Sequence, residues 1–442
     1  MKVLVIDTER VGLPFSLLAQ DWGHEVRLWM PREIGTGERS PIGQGLVDRP
    51  LEWEASMRWA DLILLTDNCK LHDRLEPFFR QGFPIFGSNK AAAQLELDRE
   101  VGIKVLEAAG IETLPYEVFT NWSAAIAHVK KTNETYVSKP WGGNPDKSLS
   151  YVSRSPADLV FKMEHWSRAG PMKGKIMLQK AVEGTEMAVG GWLGPEGWLR
   201  FFNENWEEKR LMNEGLGVNT GEMGTVMRYV RKSQLFLDVL EPCTQALIDL
   251  GYRGYVDMNC IIGEDGTPWP LEFTMRCGWP HFNLCLALHE GDPLDWMSAL
   301  LEGKDRLKCK LDVCVGVVMA HGDFPYGNFP PEKTVGFPID GLTVKRRRST
   351  WLTSVMESSA PVMSGGKVKT EETICTAGDY VLIATGLGGT VEEARESAYS
   401  TAWEINWPSN RMFRTDIGVR LEEQLPLLQK WGYAKGMEYS AG

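Results

Sequence analysis

Two carboxylates and an arginine within residues 254–278, GYVDMNCIIGEDGTPWPLEFTMRCG, have the types and spacing to handle phosphate-bearing substrates. An apolar, β-branched-rich run over 255–262, turn residues over 263–266 and a second run over 270–275 predict a hairpin. Each strand carries one acid among apolar neighbours, Asp257 on the first and Glu272 on the second. Carboxylates that converge on one face of paired strands supply the hard oxygens that Mg²⁺ takes when it is shared with nucleotide phosphates. Arg276, four residues beyond Glu272, is spaced to meet anionic oxygens nearby. The same residues equally suit a structural hairpin whose acids face solvent.

Two glycine-bearing segments could cooperate with that hairpin. Residues 141–148 (WGGNPDKS) follow a strand-like run and contain a single cation, Lys147. Such a loop can fold its amides and a lysine around phosphates, or it can be a plain turn. Residues 219–224 (NTGEMG) form a tight glycine turn whose exposed amides suit an anion, or merely a turn.

The elements that must position these residues read as follows. Strand runs over 1–7, 24–30, 60–67 and 84–87, with helical stretches over 13–22 and 71–81, predict a βαβ unit with a small, mainly parallel sheet. Residues 90–110 read as one long helical stretch. Strands over 116–119, 135–139 and 176–179 and a helix over 123–131 follow. The turn after the first strand (DTER) lacks the G-x-G-x-x-G of dinucleotide binders, and no P-loop motif occurs.

The chain has 442 residues, 43% apolar and 24% charged, so two to four subdomains of an ordinary globular protein are expected. A net charge of −11 argues against a general nucleic-acid binder. Eight cysteines without a CxxC pair, many in apolar runs, suggest buried thiols in a reducing compartment. No apolar stretch approaches a membrane span of about 20 residues, and the N-terminus does not read as a signal peptide, so a cytoplasmic location is expected.

In chain order, KAAAQLE (90–96), GI (110–111), NTGEMG (219–224), LEFTMRCG (271–278), VGVVMAHGDFP (315–325), TGLGGTVEEARESAY (385–399) and FRTDIG (413–418) resemble the glycinamide ribonucleotide synthetase (phosphoribosylamine–glycine ligase) family of ATP-grasp ligases. The resemblance extends over nearly the whole chain. It implies an α/β, ATP-grasp fold: an N-terminal parallel βαβ domain (1–89), a linker helix region (90–118), a small lid (119–189), a central ATP and Mg²⁺ domain (190–305) and a C-terminal α/β cap (306–442). It implies that Lys139 and Lys147 contact ATP phosphates, with Arg99 where the family has an ATP-side lysine. The strand around Gln179, Lys180 and Val182 would meet the adenine through its backbone, and Glu186 the ribose. Asp257, Glu272 and Thr274 would hold Mg²⁺ (or Mn²⁺). Arg276, with Lys147 and Asn219, would serve catalysis. Lys209, Arg210, Asn219, Thr220, Gly221, Trp279, His281 and Arg414 would face the substrates.

Departures from the family concentrate on the acceptor side. The first turn is rewritten, Thr274 replaces an asparagine ligand, Trp279-Pro280-His281 replaces Asp-Pro-Glu, and Glu207-Glu208 replaces Asp-His. Among 17 tryptophans, Trp141, Trp206 and Trp279 fall at lid or substrate-side positions, where they suit either core packing or stacking on a planar group. The basic run 345–348 (KRRR) suits a solvated face, or a contact with a phosphate or a nucleic-acid backbone. The expected activity is amide formation between glycine or a similar amino acid and an amine, through an acyl phosphate made from ATP. The expected partners are small molecules, with no membrane, and the chain a monomer or homodimer. Alternatives are the same chemistry on an amine of a modified nucleoside, nucleotide or base, and a non-catalytic nucleotide-binding regulator.

Overall fold

A computed structural model describes residues 1–33, 37–68, 70–141, 149–344 and 346–441. Lys147 and its loop therefore lie outside the described residues, as does Lys345. Strands β1 (Lys2–Ile6), β2 (Glu25–Trp29), β3 (Leu62–Leu65) and β4 (Ile85–Phe86) form a parallel sheet in the order β2-β1-β3-β4. Val3, Leu4, Val5 and Ile6 are all buried, the pattern of a strand covered on both faces. The turn that follows closes on Asp7, which accepts from Gly12 N at 2.7 Å and from Thr66 Oγ1 at 2.8 Å. A Cβ at Gly12 would stand 2.8 Å from Val5 Cγ1, so the turn needs glycine.

The lid is an antiparallel sheet, β5-β8-β6-β7, of β5 (Tyr116–Phe119), β6 (Tyr136–Trp141), β7 (Tyr151–Val152) and β8 (Lys175–Lys180). Helices Trp122–Thr132 and Pro156–Arg168 pack on it through Val129, Leu159 and Met163.

The central sheet has eight strands. They are β9 (Gly184–Gly194), β10 (Gly197–Arg210), β11 (Asn219–Val230), β12 (Gly254–Gly263), β13 (Pro268–Thr274), β14 (Val313–Ala320), β16 (Thr350–Leu352) and β19 (Tyr380–Gly388), in the order β13-β12-β9-β10-β11-β14-β19-β16. Between these last strands in sequence, β15 (Val335–Pro338), β17 (Val355–Ser364) and β18 (Lys367–Ala377) form a separate sheet.

This topology shifts the expected boundaries. The lid sheet begins with β5 at residue 116, and the expected boundary at 189 cuts β9, all of which belongs to the central sheet. The region beyond 306 does not fold apart, because the fully buried β14 pairs with β11 (Gly224↔Val317) and carries β19 and β16 into the same sheet. The helical stretch over 90–110 is two helices, Lys90–Leu97 and Arg99–Ala108, broken at Asp98. Asp98 has extended backbone angles and caps the second helix by accepting from Glu100 N at 3.1 Å, which places Arg99 at that helix's start.

Within the basic run, Arg346 pairs with Glu404 and Arg347 with Asp21 at 2.6 Å, so these side chains join a surface network. Among the described residues no helix is long and apolar enough to cross a membrane. The seven described cysteines are free thiols.

Candidate active site

The site grows from one face of four strands. Residues opposite one another in antiparallel strands share a face, and so do alternate residues along a strand. Asp257 stands opposite Thr274 and Gly190, Asn259 opposite Glu272 and Ala188, and Ile261 opposite Glu186. On β10, Asn203 pairs with Gly190 and Asn205 with Ala188, which brings Asn203, Asn205, Glu207 and Lys209 to this same face. Glycine at 190 is required, because a Cβ there would overlap the Tyr255 hydroxyl and stand 2.8 Å from Asp257 Oδ2.

Glu272 is the centre of a ring of cations. Arg99 forms an ion pair with it, and Lys139 and Lys209 lie close enough to stabilise its charge. Burial would raise its pKa, but Arg99, Lys139 and Lys209 win and hold the carboxyl at about 2. Lys139 reaches the same place from lid strand β6 and donates to Gln179 Oε1 at 2.7 Å. Burial lowers its ammonium to about 8 despite the opposing charge of Glu272. Lys209 is paired with Glu207 at 3.0 Å, and that charge, with Glu186 and Glu272 behind it, raises its pKa despite burial. Three cations meeting at the seam between lid and central sheet suit a polyanion.

Beneath them lies a buried polar network. Asp257 Oδ2 accepts from Asn205 Nδ2 at 2.9 Å and lies 2.7 Å from the Tyr255 hydroxyl, which is also 3.0 Å from Asn203 Oδ1. Burial, with Glu207 nearby, pushes Asp257 up to about 7. Its Oδ1 has no partner, and neither have Asn203 Nδ2, Asn205 Oδ1 or His281 Nε2. Among the described residues no three His, Cys, Asp or Glu side chains gather into a metal cage. The donors present are Glu272 and Thr274, two apart on β13, and the unpartnered Asp257 Oδ1 across from them. That oxygen set fits a hard cation completed by phosphate and water rather than by protein alone.

Next to this face opens a cavity of about 1100 Å³ between the parallel sheet, the start of β11 (219–224, extended strand where the sequence suggests a turn) and the C-terminal segments near 323–335 and 377–380. Arg276 and Trp279 line it. Arg276 is held by Glu96 Oε1 at 3.2 Å, and Glu96 also accepts from Met275 N and Asn68 Nδ2, each at 2.7 Å. The helix Lys90–Leu97 thus fixes the arginine that follows β13.

The proteins to which this chain is similar are named as ligases. Residues 314–420 match the model of the phosphoribosylglycinamide synthetase C domain. The phosphoribosylamine–glycine ligase of Allochromatium vinosum is 28% identical over 359 residues, covering 78% of this chain and 80% of that protein. The Escherichia coli O157:H7 ligase of the same name is 26% identical over 362 residues, 79% of this chain and 81% of the relative. The crystal structure of phosphoribosylamine–glycine ligase from Thermotoga maritima superimposes with a TM-score of 0.70 at 20% identity, covering 95% of this chain and all of the other. The fold is that of an ATP-grasp ligase similar to phosphoribosylamine–glycine ligase. N5-carboxyaminoimidazole ribonucleotide synthetase from Thermotoga maritima shares the fold at a TM-score of 0.58 and 15% identity, covering 92% of this chain and 99% of the other.

Within this ATP-grasp frame, the residues expected from sequence divide. Arg99, Lys139, Lys209, Asp257, Glu272 and Thr274 meet on the face described, and Glu186 is exposed on its edge. Gln179 is buried behind Lys139, while Val182 lies in the β8–β9 connection. The Lys180 ammonium pairs with Glu134 at the surface at 2.7 Å, which leaves only its backbone for a nucleotide. Gly221 lines the cavity, Asn219 is exposed at the start of β11, and Thr220 Oγ1 donates to Lys209 O at 2.9 Å.

Three expectations are corrected. Arg210 is exposed and donates to Gly217 O at 2.9 Å inside its own hairpin. Arg414 is buried, bound to Asp416 through two 2.8 Å bonds and to Arg210 O at 3.0 Å, so it ties the β10–β11 hairpin to the C-terminal segment instead of meeting substrate. His281 is 2% exposed, does not line the cavity, and packs on the Tyr255 ring at 4.8 Å between centroids. Burial holds it down to about 4, a neutral wall residue. Of the three tryptophans only Trp279 lines the cavity. Trp206 is 2% exposed in the core, and Trp141 donates to Asp98 Oδ1 at 3.1 Å.

Sequence reasoning gave no role to Glu96, Asn203, Asn205 or Glu222, and noted Glu207 only as a departure from the family. The alternation Asn203, Asn205, Glu207, Lys209 was the available signal. It was masked because Glu204 and Glu208, on the opposite face, are polar too and bind Arg228 and Arg420.

Proposed function

We propose that the chain joins the carboxylate of glycine or a similar small amino acid to an amine, using ATP and Mg²⁺. The amine, in this reading, is carried on an aromatic or nucleoside-like group rather than on phosphoribose. The convergence of Arg99, Lys139 and Lys209 on Glu272, beside a cavity large enough for a second substrate, is the observation that carries it.

Glu272, Thr274 and Asp257 would hold the metal, which would offset phosphate charge. Lys139, Arg99 and Lys209 would hold and orient the phosphates, and Glu186 the ribose hydroxyls. A carboxylate resists amidation in water, so its oxygen first attacks the γ-phosphorus of ATP and releases ADP. Arg276, held by Glu96, would neutralise the charge on the acyl phosphate. The amine nitrogen then bonds to the carbonyl carbon, the C–O bond to phosphate breaks, and the amine loses a proton. The lid strands β6 and β8 would exclude water between these steps.

Trp279 supports the acceptor reading because it offers the cavity an aromatic ring, set by an edge contact with Phe282 at 5.5 Å. The test is ADP release across a panel of amino acids and amines, with mass spectrometry of products. Trp279→Ala is expected to raise the acceptor KM by roughly tenfold, the loss of one stacking contact, with ATP affinity unchanged. Efficient turnover with phosphoribosylamine, at kcat/KM above about 10⁴ M⁻¹s⁻¹, would defeat the acceptor reading.

A further inference from the structure

The start of β11 carries one residue that the reaction above does not use. Glu222 is 5% exposed, lines the large cavity, and its Oε1 has no hydrogen-bond partner. A buried carboxylate oxygen left unpaired is costly, and such groups stand where a ligand completes them. Three further orphaned polar atoms belong to residues lining the same cavity, Arg10 Nε, Trp279 Nε1 and the Tyr380 hydroxyl. Tyr380 is near enough for Glu222, after burial, to raise its phenol.

Most of the cations on the cavity wall are already engaged, although Arg10 keeps its Nε unpartnered and Arg39 meets only a carbonyl. Arg10 pairs with Glu33 at 3.0 Å, Lys70 with Glu9, and Arg276 with Glu96 at 3.2 Å, while Arg39 donates to Arg49 O. An entering phosphate would therefore compete with carboxylates for each of the first three, and it would gain nothing from Glu222, whose carboxyl burial pushes toward the neutral form while a bound ammonium would favour its ionised form. An ammonium would find an acceptor waiting. We infer that Glu222 selects the acceptor substrate: it binds the ammonium of a planar, phosphate-free amine and disfavours phosphorylated amines. This rests on the ligase reading for its chemistry, but its binding consequence is separable from turnover.

The experiment uses the full chain and a matched pair of probes, 5-aminomethyluridine and its 5′-phosphate. Calorimetry is expected to show the nucleoside binding at least about tenfold tighter than the phosphate, a difference of roughly 1.4 kcal/mol. Glu222→Gln keeps the shape and removes the charge, and should shrink that preference to under about threefold, whereas Glu222→Asp should restore part of it. Equal or tighter binding of the phosphate by the wild-type chain, or a preference undiminished in Glu222→Gln, overturns the inference. A parallel assay measures wild-type ADP release with glycine and hydroxylamine, which needs no particular acceptor. Release without the nucleoside preference sinks the inference and leaves the ligase reading standing. A Glu222-dependent preference without release sinks the ligase reading and leaves the selection of cationic amines intact.

Discussion

The protonation of Lys139 makes ATP binding a measurable function of pH. Its ammonium titrates near 8 because burial penalises the charge more than Glu272 favours it. An ammonium is charged below its pKa, so its attraction for phosphate is complete in acid and is lost as pH rises through about 8. At pH 7 about nine in ten molecules carry the charge and at pH 9 about one in ten. If the charged form is the one that binds, the apparent Kd for ATP should rise roughly tenfold between those pH values, about 1.4 kcal/mol. Glu272 raises this pKa, so Glu272→Gln should move the rise in Kd to lower pH. Lys139→Arg keeps a cation that does not titrate in this range and should flatten the profile. Calorimetric titration with ATP from pH 6.5 to 9.5 on all three proteins makes the comparison. Superimposable profiles for wild type and Lys139→Arg would refute the reasoning, because the lysine would then not be the group whose charge the nucleotide feels.

Other perturbations separate the roles of neighbouring residues. Glu272→Gln and Asp257→Asn should each lower Mg²⁺-dependent ADP formation by at least roughly 100-fold in a steady-state assay, while far-ultraviolet circular dichroism stays native. Glu186→Ala should weaken ATP binding by roughly 1–3 kcal/mol in calorimetry, since a charged acceptor for the ribose is lost. Arg414→Ala should cost roughly 3 kcal/mol of stability in urea denaturation, because it strands the Asp416 carboxylate and leaves Glu208 with Arg420 alone, while the KM for ATP in the surviving folded fraction stays unchanged.

What could be read from the sequence was what short-range periodicity encodes. Asp257 and Glu272 are legible as a pair because a hairpin converts spacing along the chain into a shared face, and β12 and β13 form that hairpin around the turn at 264–267. Arg276 was legible only by its spacing from Glu272, whereas the carboxylate that holds it is Glu96, on the helix Lys90–Leu97. The parallel sheet of residues 1–89 is legible because its apolar runs are continuous and separated by helical or loop segments. The acceptor cavity has no such local encoding. Its wall joins Arg10 from the first turn, Glu222 from a central strand and Tyr380 from the start of β19, and only the closed topology brings them together. Arg414 shows the converse. A lone arginine in a familiar motif reads as a substrate ligand, yet Asp416, two residues on, already supplies the bidentate partner that a guanidinium seeks. Burial, which no window of sequence reports, also decides the chemistry of His281, neutral behind the wall, and of Asp257, poised near neutrality. The strand face is therefore written in spacing and the cavity beside it in packing. Under the proposed function, Glu222 and Trp279 mark where the amine would be chosen.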